Sequence, residues 1–166
     1  IRSTNIKGDH LSQDGLLFIK PEFANQNASK YLYVNDIVTV RTGYPGVSAV
    51  IPENLNKSQC FTNLIATPNS ECDPRFLCDF LNSHLGRNYF DLLGWGSAQK
   101  NISVPILQNI PIAYPGRIEQ IQIADHITQQ RKKFAPLIAS AQGMIDVLQE
   151  RRTALISTAV TGKIDV

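Results

Sequence analysis

Residues 135–160 read Ala-Pro-Leu-Ile-Ala-Ser-Ala-Gln-Gly-Met-Ile-Asp-Val-Leu-Gln-Glu-Arg-Arg-Thr-Ala-Leu-Ile-Ser-Thr-Ala-Val. Their apolar positions, Leu137/Ile138, Ala141, Met144/Ile145, Leu148, Leu155/Ile156 and Ala159, recur at intervals of three and four, interrupted around Arg151-Arg152. That is the period of one face of an α-helix. The stripe lasts about three heptads, roughly 36 Å at 1.5 Å per residue. Proline has no amide hydrogen, so Pro136 is expected in the first turn of a helix spanning about 135–160. A shorter helix is expected before it, over about 117–131, with Ile118, Ile121, Ala124 or Asp125 and Ile127 along one side. A stripe of this kind can close on its own globular domain. Its length and narrowness favour a partner helix, with Leu137, Ile138, Ala141, Ile145, Leu148, Arg152, Leu155 and Ile156 as contact residues.

Upstream the texture changes near residue 115. Short apolar, β-branched runs alternate with Gly, Pro, Asn and Ser clusters. Gly15–Ile19, Tyr31–Val34, Asp36–Val40 and Cys60–Ala66 read as strands. Val47–Ile51 resumes after the turn Arg41-Thr42-Gly43-Tyr44-Pro45-Gly46, which predicts a hairpin over 37–51. Asp73-Pro74 opens a helix, with Asp as the N-cap and Pro in the first turn. Phe76, Leu77, Phe80, Leu81 and Leu85 form its apolar face, and Gly86 is the expected stop. Tyr89–Leu93 reads as one further helical turn. Residues 102–112 read as extended, with Pro105 and Pro111 confining them to edges or loops. The fold class is therefore α+β: a strand-rich globular domain over 1–115 and a helical region over 116–166.

Composition narrows the function. The chain has 166 residues, 43% of them hydrophobic and 18% charged, enough for one packed domain and unlike a disordered tail. No apolar run approaches the ~20 residues of a membrane span, and Ile1-Arg2-Ser3-Thr4-Asn5 does not resemble a signal peptide. Cys60, Cys72 and Cys78 lack metal-ligand spacing, so buried free thiols in a reducing cytoplasm are the expectation. No nucleophile elbow, His-Glu-x-x-His, Gly-rich phosphate loop or Asn/Asp-Pro-Pro-aromatic motif is present, so the chain is not expected to be an enzyme. Residues 1–110 hold nine Lys/Arg and nine Asp/Glu; residues 111–166 hold seven and five, which supplies the net +2. Charge alone does not mark a nucleic-acid binder.

Two loops carry groups suited to base or phosphate contacts. In the first, Arg41, Thr42 and Tyr44 sit on a tight turn, and arginine reads guanine through two hydrogen bonds. The plainer reading pairs Arg41 with a carboxylate and lays Tyr44 on the core edge. In the second, Gly94-Trp95-Gly96-Ser97-Ala98-Gln99-Lys100-Asn101, the amides suit adenine edges, and Ser97 and Lys100 suit phosphate oxygens. Its plainer reading is a packed Trp95 beside a polar turn.

Taken in order, five segments resemble the specificity subunits of type I restriction-modification systems. They are Asn35–Gly43 with Gly46; Gly96–Ile102; Ile110-Pro111-Ile112 with Pro115 and Glu119-Gln120; Leu148–Ile156; and Ala159–Val166. The last two are the most specific, and the likeness spans about residues 31–166. It implies a target-recognition domain that reads half of a split site in double-stranded DNA. It also implies a spacer that pairs with a second spacer helix, in the same polypeptide or a homodimer, as a coiled coil. Methylase subunits would dock on the assembly and bring restriction subunits with them. S-adenosylmethionine and ATP would be bound by those partners, with no cofactor here. The family's Trp-containing lead-in and Leu-Gly-Asp-type segment are absent before Ile1, which implies a C-terminal part or a half-subunit. Phe134-Ala135-Pro136 stands where the family often has an Ile-Asp pair. The rival readings are a protein-interaction module and a subunit of a methylation-only system.

Overall fold

The computed structural model describes residues 1–8 and 10–162; Lys163-Ile164-Asp165-Val166, the end of the Ala159–Val166 segment, lies outside them. The fold is mixed α+β. Three strands, β1 (Ile37–Thr39), β2 (Ser48–Val50) and β3 (Leu64–Ala66), form an antiparallel sheet in the order β2-β1-β3. Among the described residues five α-helices accompany them: α1 (Pro21–Gln26), α2 (Pro74–Asn82), α3 (His84–Leu93), α4 (Val104–Gln108) and α5 (Arg117–Val160). The chain divides into two compact units, Ile1–Ala124 and Asp125–Val166.

Strand β1 is central because Asp-Ile-Val-Thr-Val can bury both faces. Side chains alternate across a strand, so Val38 and Val40 join Ile6, Leu32, Ala49 and Ile51 on one side. Ile37 joins Leu64, Leu81, Phe90 and Ile102 on the other. The register sets Ile37 opposite both Val50 and Ala66, and Val38 opposite Ala49 and Ile65. Thr39 and Ser48 face each other, and their buried hydroxyls share a 2.8 Å hydrogen bond. The hairpin expected over 37–51 is thus formed, with shorter strands than the apolar runs suggested.

Other expected strands are not formed. Gly15–Ile19 lies between a turn, in which Leu16 N–H donates to the Gln13 carbonyl, and α1, which begins at Pro21. Among the described residues no strand lies alongside it, and Leu17 and Phe18 stand exposed at the rim of a concavity of about 500 Å³ shared with Tyr31, Leu55 and Phe61. Tyr31–Val34 makes only an isolated bridge from Tyr31 to Gln59. Its ladder is cut short where Asn35 and Lys57 take positive φ, at 73° and 62°. Of Cys60–Ala66, only the last three residues are strand.

The Asp73-Pro74 start of α2 is as expected: the Asp73 carboxylate accepts from the Arg75 and Phe76 amides, with proline in the first turn. The helix ends earlier, at Asn82, whose side-chain amide donates to the Gly8, Ser48 and Cys78 carbonyls and accepts from the Ser48 amide. Ser83 then caps α3, its hydroxyl accepting from the Gly86 amide. Gly86 is therefore inside a helix and does not stop one. A Cβ there would stand 2.5 Å from the Leu81 carbonyl oxygen, so close packing of the two helices requires glycine. Residues 104–108, expected to be extended, form α4 with Pro105 in the first turn, where proline's missing donor costs nothing.

The two C-terminal helices are one. Helix α5 runs unbroken for 44 residues with Pro136 inside it. Proline there leaves the Lys132 carbonyl without its amide donor and crowds that carbonyl with its ring, yet the helix continues past it. The first turns of α5 belong to the first unit and bury Gln120 and the expected Ala124, whereas Ile118 is 77% exposed. Gln120 accepts from the Asp73 amide at 2.8 Å and donates to the Glu71 and Pro115 carbonyls. Cys60, Cys72 and Cys78 are buried and unbridged.

Candidate nucleic-acid interface

The two loops singled out in the sequence are joined. Past the end of β1, the Arg41 carbonyl accepts from the Ile102 amide at 3.0 Å, and the Gly43 amide donates to the Lys100 carbonyl at 3.0 Å. Thr42 therefore bridges Asn101, and Asn101 in turn bridges Trp95, each amide donating to the other's carbonyl at 3.0 and 2.8 Å. One narrow ladder holds both turns.

Side chains reinforce it. The Thr42 hydroxyl donates to Asn101 Oδ1, and Asn101 Nδ2 donates to the Gln99 carbonyl at 3.0 Å. Lys100 Nζ lies 2.8 Å from the Asp91 carbonyl and 3.4 Å from its carboxylate. Glycines close the turns: Gly46 has φ 90°, and a Cβ there would lie 2.1 Å from the Phe90 ring. Gly96 has φ 111°, and a Cβ there would meet the Gln99 carbonyl oxygen. Phe90 is fully buried, so the 41–46 turn rests against the core.

Eight residues were expected at this interface, and the structure divides them. Thr42, Lys100 and Asn101 spend polar groups on holding the loops. Arg41, Ser97 and Gln99 are exposed, as are Tyr44 at 79% and Trp95 at 49%. Among the described residues Arg41 forms no ion pair with a carboxylate. Tyr44 projects to solvent rather than onto the core edge. An exposed guanidinium, two aromatic edges and an amide on a fixed backbone can donate to acceptors, stack, and exclude water from apolar edges.

The second candidate surface is on α5. Every residue from Arg131 to Ser157 is exposed, so all eight residues of the expected partner face are accessible. One continuous helix gives a strict alternation of four and three through Phe134, Ile138, Ala141, Ile145, Leu148, Arg152, Leu155 and Ala159. In that register Pro136 and Gly143 fall on the side opposite the stripe.

Sequence reasoning missed the holding role of Asn101 and the anchoring roles of Asn82 and Gln120. A lone amide gives no periodic signal, so only its partners reveal its work. No family model and no curated protein matches the chain. Among the described residues no helix is long and apolar enough to cross a membrane.

Proposed function

We propose that this chain is a DNA-reading component of a type I restriction-modification assembly, or of its methylation-only counterpart. The ladder joining the 41–46 and 95–101 turns carries the reading, because it brings Arg41, Tyr44, Trp95 and Gln99 onto one backbone frame. The first unit reads one half of a bipartite duplex target through groove contacts. The α5 stripe pairs with a second spacer helix in a coiled coil and offers a docking face to methylase subunits, which recruit restriction subunits. The chain itself performs no chemistry; S-adenosylmethionine and ATP belong to the partners, and the assembly works in the cytoplasm.

A second reading, a protein-interaction module without base selectivity, is favoured by the exposed apolar stripe of α5. One experiment separates the two. Random-sequence duplexes are selected at low salt by the chain alone and by the chain with a methylase subunit. Enrichment of one short sequence with the methylase, weak or absent without it, is expected. Unenriched duplexes in both arms would leave only the interaction module.

A further inference from the structure

We propose that Arg41 is the base-specificity determinant of the joined turns and that it reads a guanine. The inference rests on the DNA-reading function above and assigns the chemistry of one position in the target. Of the two cations on these loops, Lys100 is spent on Asp91, at 2.8 Å from its carbonyl and 3.4 Å from its carboxylate. Arg41 is exposed and forms no ion pair among the described residues.

Its backbone is also fixed. The residue before it, Val40, is buried and bonded both ways across the hairpin, its amide to the Val47 carbonyl at 2.7 Å and its carbonyl from the Gly46 amide at 2.9 Å. Arg41's own carbonyl is held by the Ile102 amide on the other side. The Cα of Arg41 thus leaves a buried strand end between two sets of backbone bonds, while the guanidinium is unconstrained.

That combination suits selective recognition. A fixed origin limits which groove positions the planar fork can reach, and the fork matches the O6 and N7 acceptors that only guanine presents together in the major groove. A cation acting on phosphates needs neither the fixed origin nor the fork and discriminates among no bases. Gln99, whose amide lies 3.7 Å from the Cβ position of Gly43, is placed beside the same turn with a chemistry suited to adenine. Thr42 and Asn101 act as positioning residues for both.

The test repeats the selection with the chain plus methylase subunit, comparing wild type, Arg41→Ala and Arg41→Gln. Far-ultraviolet dichroism and the thermal midpoint check that each variant folds; Arg41 is exposed, so both are expected to match wild type. The wild-type target should contain one G·C pair whose replacement lowers binding roughly 5- to 150-fold. Arg41→Ala should lose that preference while keeping the other positions, and Arg41→Gln should shift it towards A·T. A base preference unchanged in both variants overturns the assignment and leaves the DNA-reading function standing. So does a uniform loss at all positions with a shallower salt dependence, which marks a phosphate contact. A wild-type chain that enriches no sequence overturns the function itself, and the assignment with it.

Discussion

At the scale of single residues, Asp73 does more than its place in the sequence announces. Its carboxylate accepts from two helix amides and from the Arg75 guanidinium at 3.0 Å, and its amide is held by Gln120. Burial pushes its pKa up, but the Arg75 side chain and the two amides outweigh this and hold it below the usual carboxylate value. A depressed folded pKa means the ionised form is favoured by folding, so this stabilisation is full above the unfolded value of about 3.9. It is lost as pH falls through the folded value. Asp73→Ala should destabilise the first unit by about 1 kcal/mol, the usual worth of an N-cap. Asp73→Asn should keep most of the cap and weaken the acid dependence. Urea unfolding followed by the fluorescence of Trp95, the single tryptophan, would check both. Acid limbs that coincide in wild type and Asp73→Asn would remove this carboxylate from the cause.

At the scale of elements, what could be read in the sequence was what local chemistry decides. The Asp73-Pro74 cap, the 37–51 hairpin and the α5 stripe each carry their own signal: a side-chain acceptor, a turn between β-branched runs, a period. The misreadings are cases where a neighbour decides. Gly15–Ile19 has the composition of a strand but, among the described residues, no strand alongside to pair with. Gly86 has the composition of a stop but is needed small by the Leu81 carbonyl. Pro136 has the chemistry of a break, yet one missing bond does not end a helix bonded on either side. The candidate loops were legible as groups of residues, whereas their joining through Asn101 was not, because a contact between positions 42 and 101 leaves no local mark. The continuous α5 carries its own expectation. An isolated helix with an exposed apolar stripe gains most of its stability from packing, so the chain should self-associate. Sedimentation should show a concentration-dependent dimer for wild type and monomer for Leu148→Asp and Leu155→Asp. A wild-type monomer at every concentration would rule out homodimerisation through this stripe.

At the scale of the whole molecule, charge decides how the proposed reading must work. Residues 1–110 balance nine Lys/Arg against nine Asp/Glu, so the unit that carries Arg41 offers DNA almost no net attraction. A protein that grips duplex through Z phosphates shows a salt slope near −0.9Z. With Lys100 occupied by Asp91, the candidate loops supply about one free cation, and the slope for the isolated chain should be no steeper than about −2. Selectivity in this arrangement comes from a few fixed base contacts, while affinity comes from subunits that contribute the phosphate contacts. Adding a methylase subunit should therefore steepen the slope and raise affinity while leaving the preferred bases the same. Fluorescence anisotropy of a labelled duplex, titrated from about 50 to 200 mM salt, would measure it. A slope for the chain alone as steep as that of the complex would mean that this chain holds its own DNA, and that the division between reading and gripping is wrong.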